Sequence, residues 1–432
     1  MKSFSSAHAQ DAAFGVPGLG KNPTARLALG RVHATGLCLG LVVLALCVPR
    51  SSWAQLTQTA PKDMFVADFQ LNFAEARNQW TDNSELGPLM ENMERYEPGG
   101  GLQGTIKADE AVGRFTVLVN RLTYGVTDSV SAVLAVPVVL GGQVNPNLQW
   151  EPGDYSPTLG RPYSESDFWA WAGSMGQPRP GPWTGLQGAL SDIVLASRWR
   201  FSDLIPPEKR WNIDLALTVF GALPTGNEGD PEEIAALGAT SWNFHFQGEL
   251  GIHLAAEKSF FDRLRFGGDV FYQAFLRREY TAADGDKHPL LLTESPYVGE
   301  TYHMNPGDFL GARVQAQAIL FKGPTWQTWL SRRAGGVDGL PPMLVFSAAY
   351  MYHWVGASDF QSDSPLWDWE QESYWARGFR QRVEAQLTFS LMRLGVPLDL
   401  YGIYRDHSLL PGKNVRASRI FGGGLRAPLK FW

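Results

Sequence analysis

The sequence predicts an all-β fold, a transmembrane antiparallel β-barrel of about 12 strands with both termini on the periplasmic side. Three observations predict it: long strands with one apolar and one polar face, connections that alternate between short and long, and an apolar last strand that ends in aromatic residues. The first observation is clearest over residues 241–255, SWNFHFQGELGIHLA, where apolar and polar side chains alternate. Strand side chains point alternately to opposite faces, and this stretch is about twice as long as a usual globular strand.

Twelve stretches of the chain follow a strand–turn–strand pattern. They are 99–107, 113–125, 130–140, 189–201, 211–222, 241–256, 263–278, 308–321, 342–355, 378–393, 397–406 and 414–431. In the stretch 263–278, arginine, aspartate and glutamine alternate with leucine, phenylalanine, valine and tyrosine. An arginine that faces lipid at the membrane midplane costs about 2–4 kcal/mol. The polar set is therefore predicted to face the barrel interior.

The connections after the second predicted strand are mostly short and long in turn. Outer-membrane barrels have tight periplasmic turns and large extracellular loops, so this alternation is typical of that architecture. The connection 322–341 breaks the pattern, because it is too long for the tight turn expected there. An even number of strands would place both termini in the periplasm.

The last predicted strand, 414–431, alternates apolar with small or polar residues and ends in Phe431, one residue before Trp432. Such an ending resembles the signal that the barrel-assembly machinery of Gram-negative outer membranes recognises, so this machinery is an expected partner. Arg419 lies on the apolar face in this register. This position implies either that Arg419 lies near the lipid headgroups or that the true register of the strand is shifted from the predicted one.

The N-terminal region has the features of a secretory signal peptide, predicted to cover residues 1–54. Its one sustained apolar run follows basic residues and is too short to cross a bilayer as a helix. Cleavage is expected near Ala54-Gln55. Both cysteines, Cys38 and Cys47, lie inside this leader, so the exported chain has no disulfide. The expected location is the outer membrane, with its lipids and lipopolysaccharide as neighbours.

Residues 55–98 separate the leader from the predicted barrel domain, 99–432. Phe65, Phe69 and Phe73 are four residues apart, as in a short amphipathic helix. Two interpretations stay open. The segment is either a flexible periplasmic lead-in, which we favour, or a plug that sits inside the barrel.

The sequence offers no motif of an enzyme, a cofactor site or a metal site. It has no HExxH, no GxSxG and no glycine-rich phosphate loop. His407 and Ser408 are neighbours, and neighbouring side chains of an extended chain point apart, which argues against a catalytic dyad. The formal net charge of −6 argues against nucleic-acid binding. We therefore expect a protein that is not an enzyme and binds no cofactor.

The polar faces of the predicted strands supply a set of candidate lumen-lining residues. They are Arg198, Arg200, Asp214, His245, Gln247, Glu249, His253, Arg263, Arg265, Asp269, Gln273, Arg313, Arg380, Arg382 and Glu384. One interpretation is a network of ion pairs and hydrogen bonds that fills the barrel and satisfies itself. The other is a basic constriction that favours anions or carboxylated substrates. The first is favoured, because buried charges need partners whatever the function.

A long insert, 141–188, carries Trp150, Trp169, Trp171 and Trp183 among many prolines and glycines. These tryptophans are candidates for an aromatic vestibule or lid that captures an apolar solute at the barrel mouth. The alternative is an extracellular loop that packs on itself. Neither is favoured by the sequence.

Three passages resemble the meta-pathway phenol-degradation family of outer-membrane proteins. They are YGVTD at 124–128, GLQGALSDIVLASRWRF at 185–201 and ALPTGN at 222–227, with Ser191 where the family usually has glycine. In that family the first passage is a turn that joins two strands. The resemblance covers roughly residues 113–432.

The resemblance implies an outer-membrane channel or facilitator for the uptake of small hydrophobic or aromatic compounds, with a small-molecule solute as its partner. The identity of the solute does not transfer, because the family is named by genetic neighbourhood. The competing hypothesis is a structural or adhesive outer-membrane barrel that transports nothing and has a closed lumen filled with charges.

Overall fold

The computed structural model describes residues 56–88, 92–96, 101–108, 110–145, 147–156, 159–174, 182–185, 188–206, 209, 211–225, 248–261, 263–276, 278–281, 301–305, 307–328, 340–356, 359–361, 378–413 and 415–430. Within them, twelve strands form a closed antiparallel barrel. The strands are β1 Met64–Trp80, β2 Val112–Gly125, β3 Val130–Asn145, β4 Ile193–Trp199, β5 Ile213–Leu223, β6 Glu249–Phe260, β7 Leu264–Phe275, β8 Phe309–Phe321, β9 Leu344–Val355, β10 Gly378–Ser390, β11 Asp399–Asp406 and β12 Val415–Lys430.

Each barrel strand pairs with its sequence neighbour, and β12 pairs with β1 to close the ring. Closure matters because lipid offers no hydrogen-bond partner to an open sheet edge. The predicted fold class, a transmembrane antiparallel β-barrel of twelve strands, is confirmed.

Shorter elements lie in the connections. Leu86–Pro88 pairs with β1, and Trp183–Gly185 and Ala189–Leu190 pair with β3. Two small sheets consist of Met93–Tyr96, Leu102–Lys107 and Gln149–Pro152, and of Arg278–Thr281, Thr301–Asn305 and Asp359–Gln361. Tyr155–Ser156 pairs with Arg161–Pro162, the helix α1 is Glu165–Ser174, and single 3-10 turns are Phe201–Leu204 and Met392–Leu394. No helix among the described residues is long and apolar enough to cross a membrane.

Alternation along the strands separates an apolar outer wall from a polar inner wall. On β6, Leu250 and Leu254 are 57% and 48% exposed, whereas Glu249 is 1% exposed. The same contrast recurs on β7, where Val270 is exposed and its neighbour Asp269 is buried. Exposed leucines beside buried carboxylates are the reverse of a water-soluble protein and are typical of a barrel surrounded by lipid.

Connection length defines the two ends of the barrel. The turns 126–129, 261–263 and 391–398 lie at one end, which we name the short-turn end. The opposite, long-loop end carries the connections 81–111, 146–192 and 276–308. The turn 126–129 joins β2 to β3, as the YGVTD passage implied. The structure thus reproduces the predicted alternation, while the assignment of each end to a side of the membrane stays a prediction.

The connection 322–343 is the long one at the short-turn end, as the sequence indicated. Its residues 340 and 341 contact the neighbouring turn through Arg393, which is buried. The Arg393 guanidinium donates hydrogen bonds to the backbone carbonyls of Pro341 and Leu340, at 3.0 and 3.2 Å. These two carbonyl groups, which no strand satisfies, are thereby paired.

The structure corrects the N-terminal boundary of the barrel. The prediction began the barrel at residue 99, but the first barrel strand is β1, which lies inside the segment 55–98 assigned to a lead-in or plug. The predicted strand 99–107 instead belongs to a small sheet outside the barrel. The spacing of Phe65, Phe69 and Phe73 misled because four residues is close to one helical turn and is also two strand repeats.

Arg419 faces outward on β12, as the register predicted, and it has partners there. Its Nε lies 3.5 Å from Asp406 Oδ2 and donates to the Ser408 hydroxyl oxygen at 3.2 Å. The Ser408 hydroxyl donates to Asp406 Oδ1 at 2.6 Å, so its single proton is not directed at His407. The predicted leader, 1–54, and Phe431 and Trp432 lie outside the described residues.

A depth-dependent stability test checks which wall faces lipid. Val270→Arg, at the middle of β7, is expected to lower the free energy of unfolding by about 2–4 kcal/mol, and Leu264→Arg, at its end, by about 0–1 kcal/mol. Reversible denaturant unfolding in lipid vesicles measures both. Equal costs at the two depths would contradict a lipid-facing outer wall.

Candidate functional site: the barrel interior

The inner wall contains a continuous row of side chains that crosses seven strands. Cross-strand pairing links Arg198, Thr218, His253, Phe271, Gly311, His353 and Arg380 in that order. Arg198 lies at the short-turn end of β4, and Arg380 lies near the long-loop end of β10. The row runs obliquely from one end of the barrel to the other, because the barrel strands are tilted and staggered. Residues far apart in sequence are thus neighbours along one path between the two ends.

Along and beside this row, aromatic rings lie flat on the inner wall where the neighbouring strand has a glycine. A Cβ atom on Gly311 would collide with the Phe271 ring, and one on Gly251 would collide with the Phe220 ring. His253 stacks on Phe271 with ring centroids 5.0 Å apart, and Phe271 meets His353 edge to face at 4.9 Å. The glycines make room for an aromatic strip on an otherwise polar wall.

A buried ion pair lies beside this strip. The Arg313 guanidinium donates to Asp269 Oδ1 at 2.6 Å, and His253 Nδ1 lies 3.1 Å from Asp269 Oδ2. Asp269 and Arg313 are both buried. One carboxylate therefore joins three strands, β6, β7 and β8, through hydrogen bonds that involve charged groups.

A second carboxylate joins the strands at the closing seam of the barrel. Arg121 of β2 and Arg426 of β12 each approach Asp68 Oδ2 of β1 at 3.4 Å. The Tyr401 hydroxyl of β11 donates to Asp68 Oδ1 at 2.5 Å. Four consecutive strands around the ring thus share one anion, which ties the last strands of the chain to the first.

A third carboxylate, Glu384 on β10, is shared by two arginines. The Arg405 Nε donates to Glu384 Oε2 at 2.7 Å, and Arg382 Nη2 lies 3.5 Å from the same oxygen. Arg380 lies two residues before Arg382 on the same inner face. Its Nε donates to His353 Nδ1 at 2.9 Å instead of to a carboxylate. The long-loop half of β10 is therefore rich in arginine.

The chain before β1 enters the barrel at the short-turn end. Glu257 of β6 accepts hydrogen bonds from the backbone N–H groups of Leu56 and Thr57, at 2.9 and 3.4 Å. Arg198 of β4 donates to the Gln58 carbonyl at 3.3 Å, and Ser131 of β3 accepts from the Ala60 N–H at 2.7 Å. Because β6 lies nearly opposite β1 in a ring of twelve, this segment, residues 56–60, spans the opening.

The structure places most of the predicted lumen residues on the inner wall. Those on inward-facing positions are Arg198, Asp214, Glu249, His253, Arg265, Asp269, Gln273, Arg313, Arg380, Arg382 and Glu384. Glu249 and Gln273 are hydrogen-bonded to each other, and Arg265 lies 3.8 Å from Glu257. Their part in passage of a solute stays a prediction.

Four of the predicted lumen residues are placed elsewhere or lie outside the description. Arg200 follows the end of β4 and pairs with Asp203 at 2.8 Å, and Arg263 is exposed in the turn 261–263. Both predictions were wrong because the strands are shorter than the polar pattern suggested. His245 and Gln247 lie outside the described residues.

Three tryptophans of the insert pack around a small apolar core outside the barrel. Trp150, Trp169 and Trp171 surround Phe168 and Ile106, which are both fully buried. This arrangement corresponds to a loop packed on itself, and a role of the tryptophans as a vestibule or lid stays a prediction. Trp183 belongs to the short strand paired with β3.

Polar contacts fix the start of α1 in this insert. The Ser164 hydroxyl accepts from the Asp167 N–H at 3.3 Å, and Asp167 accepts from the Ser164 N–H at 2.8 Å, which is a reciprocal helix cap. Arg161 donates two hydrogen bonds to the Asp167 carboxylate, at 2.6 and 2.8 Å. These donors from Arg161 and Ser164 lower the pKa of the Asp167 carboxyl below its usual range.

Sequence reasoning missed Asp68, Arg121, Tyr401 and Arg426 at the seam, and Glu257 at the short-turn end. The seam residues were missed because β1 was not predicted as a strand. Its signal was present, since polar residues at 68, 70 and 72 alternate with apolar residues at 69, 71 and 73. Glu257 lay one residue beyond the predicted end of its strand, and nothing in the sequence shows that it meets residues 56 and 57.

No protein-family model and no curated protein matches this chain. Its fold is similar to that of a crystallised outer membrane channel from Pseudomonas putida F1, with 10% identity and a TM-score of 0.50 over 87% of this chain and 98% of that channel. The CymD monoaromatic hydrocarbon channel has 11% identity and a TM-score of 0.32 over 88% and 92%. A Pseudomonas aeruginosa FadL homologue has 10% identity and a TM-score of 0.28 over 86% and 91%.

The first of these similarities shows the fold, that of an outer-membrane β-barrel. The apolar outer wall of this chain and its charged inner wall agree with that architecture, so the protein is classed as an outer-membrane β-barrel. At these identities, what passes through the barrel has to be argued from its own residues.

A double-mutant cycle tests the buried pair on β7 and β8. Arg313→Met alone is expected to cost about 3–5 kcal/mol of unfolding free energy, because it leaves the Asp269 carboxylate buried with less compensation. Adding Asp269→Leu is expected to recover most of that loss, since a charge-free pair of similar volume is often neutral. Arg161→Met, at an exposed pair, serves as the control and should cost at most about 1 kcal/mol. A double variant no more stable than Arg313→Met would contradict this account.

Proposed function

We propose that this protein is an outer-membrane channel for the uptake of small hydrophobic, in particular aromatic, molecules. The observation that carries the proposal is the aromatic strip on the inner wall, in which Phe220 and Phe271 lie flat over glycines of the next strand. An interior that were only a structural ion network would not need apolar rings packed over glycines on that wall. The three passages that resemble the phenol-degradation family support the same function.

The short-turn end faces the periplasm in this proposal, and the long-loop end faces the outside, as in other outer-membrane barrels. The surrounding lipid is phospholipid on the inner side and lipopolysaccharide on the outer side. A solute would enter from the long-loop end, move along the aromatic strip, and leave past residues 56–60.

Uptake by intact cells tests the proposal. A fluorescent aromatic amine, N-phenyl-1-naphthylamine, is excluded by an intact lipopolysaccharide leaflet. Porin-deficient cells that produce the protein are expected to take up this probe several-fold faster than cells with an empty vector. Unchanged leakage of a periplasmic enzyme serves as the control for membrane damage. A folded barrel in the outer membrane with no faster uptake would contradict the proposal.

The competing function, a closed structural or adhesive barrel, rests on one observation. Residues 56–60 span the short-turn end and are held by backbone hydrogen bonds to Glu257 and Ser131. A rigid closure of this kind would prevent a solute from leaving the interior at the short-turn end. The two functions therefore differ in whether this segment can move.

A variant that releases residues 56–60 distinguishes a channel from a closed barrel. Glu257→Ala removes the acceptor for two backbone N–H groups, and hydrogen bonds to a charged acceptor contribute about 1.5–3 kcal/mol each. Single-channel conductance in planar bilayers is expected to rise several-fold. Ser259→Ala, two residues further along the same face of β6, is the matched control and should leave conductance unchanged. Equal conductance of wild type and Glu257→Ala would show that residues 56–60 do not control the passage.

A further inference from the structure

Two buried arginines on β10 hold N–H groups that the described chain does not satisfy. Arg380 and Arg382 are 5% and 3% exposed. Among the described residues, neither Arg380 Nη2 nor Arg382 Nε has a hydrogen-bond partner, although both atoms are buried. A buried donor of a charged group that lacks an acceptor is costly, so folded proteins retain few of them without a functional reason.

The carboxylates of this region are already engaged elsewhere. Glu384 accepts from Arg405 at 2.7 Å and is only 3.5 Å from Arg382. Asp269 is paired with Arg313 at 2.6 Å. Arg380 forms no ion pair with any described carboxylate; its contacts are the Nε hydrogen bond to His353 and the face of Phe309. Four guanidiniums thus share two carboxylates, and the excess positive charge lies at Arg380 and Arg382.

Aromatic and apolar side chains surround the unsatisfied donors. The Arg380 guanidinium carbon lies 5.5 Å from the Phe309 ring centroid, and Phe309 packs against Phe275 at 4.9 Å and against Val355. His353, which accepts from Arg380, meets the Phe271 ring of the aromatic strip. A ligand that reaches Arg380 therefore passes over rings and ends at a guanidinium.

We propose that Arg380 and Arg382 bind the carboxylate of an aromatic acid whose ring packs against Phe309 and Phe271. A carboxylate supplies the acceptors that both arginines lack, and it neutralises part of the excess charge. The position of these residues near the long-loop end makes them a first binding site for a solute that comes from outside. The inference deepens the proposed channel by naming benzoate-like acids as its substrate class.

Equilibrium binding tests the site without any need for transport. Benzoate is titrated calorimetrically into the purified full-length barrel in an uncharged detergent, with folding verified by heat-modifiable migration in gels. Arg380→Gln is expected to weaken benzoate binding by at least about tenfold, the loss of one hydrogen bond to a charged group. Arg380→Lys keeps the positive charge and should bind with intermediate affinity. The outward-facing Arg419→Gln is the matched control and should bind benzoate as wild type does.

A neutral ligand of similar shape distinguishes the carboxylate from the ring. Benzyl alcohol is expected to bind more weakly than benzoate to wild type, and equally to wild type and Arg380→Gln. Benzoate affinity that is the same in wild type and Arg380→Gln would overturn the inference, as would competition in which chloride displaces benzoate at equal concentration. Failure of dye uptake with intact benzoate binding would overturn the channel and leave the binding site standing.

Discussion

The structure depends on one constraint, that the hydrocarbon core of a membrane offers no hydrogen-bond partner to a polypeptide backbone. Every strand must therefore pair on both sides, and the ring must close between β12 and β1. Closure in turn fixes the two walls, because each strand shows alternate side chains to lipid and to the interior. Exposed leucines on β6 and buried carboxylates beside them follow from that constraint.

The interior then has to satisfy charges without bulk water around each of them. Single carboxylates do this by bridging several strands: Asp269 joins three strands and Asp68 joins four. Such sharing holds neighbouring strands in register, since a shift by one residue would turn each of these groups toward lipid. The aromatic strip lies beside these bridges, so that one wall of the interior carries rings as well as charges.

The sequence was sufficient for the fold because two-residue alternation is a local property. It was sufficient for the inward position of His253 and Arg380 for the same reason. It failed at β1, where phenylalanines four residues apart fit both a helix and a strand. It also failed at Arg200 and Arg263, where polar residues continue past the ends of the strands. Partners could not be predicted at all: the stagger between strands decides that Arg380 meets His353, and no single strand carries that information.

Two groups at opposite ends of the interior differ in the hydrogen-bond partners that they require. At the short-turn end, Glu257 is an acceptor that the backbone N–H groups of residues 56 and 57 satisfy. Near the long-loop end, Arg380 Nη2 and Arg382 Nε are donors for which the described chain supplies no acceptor. An extended segment without a ladder of its own has backbone donors to offer, so it binds where acceptors are in excess. In the proposed channel, a molecule that brings an acceptor binds at these two arginines, and the row of rings lies between the two ends.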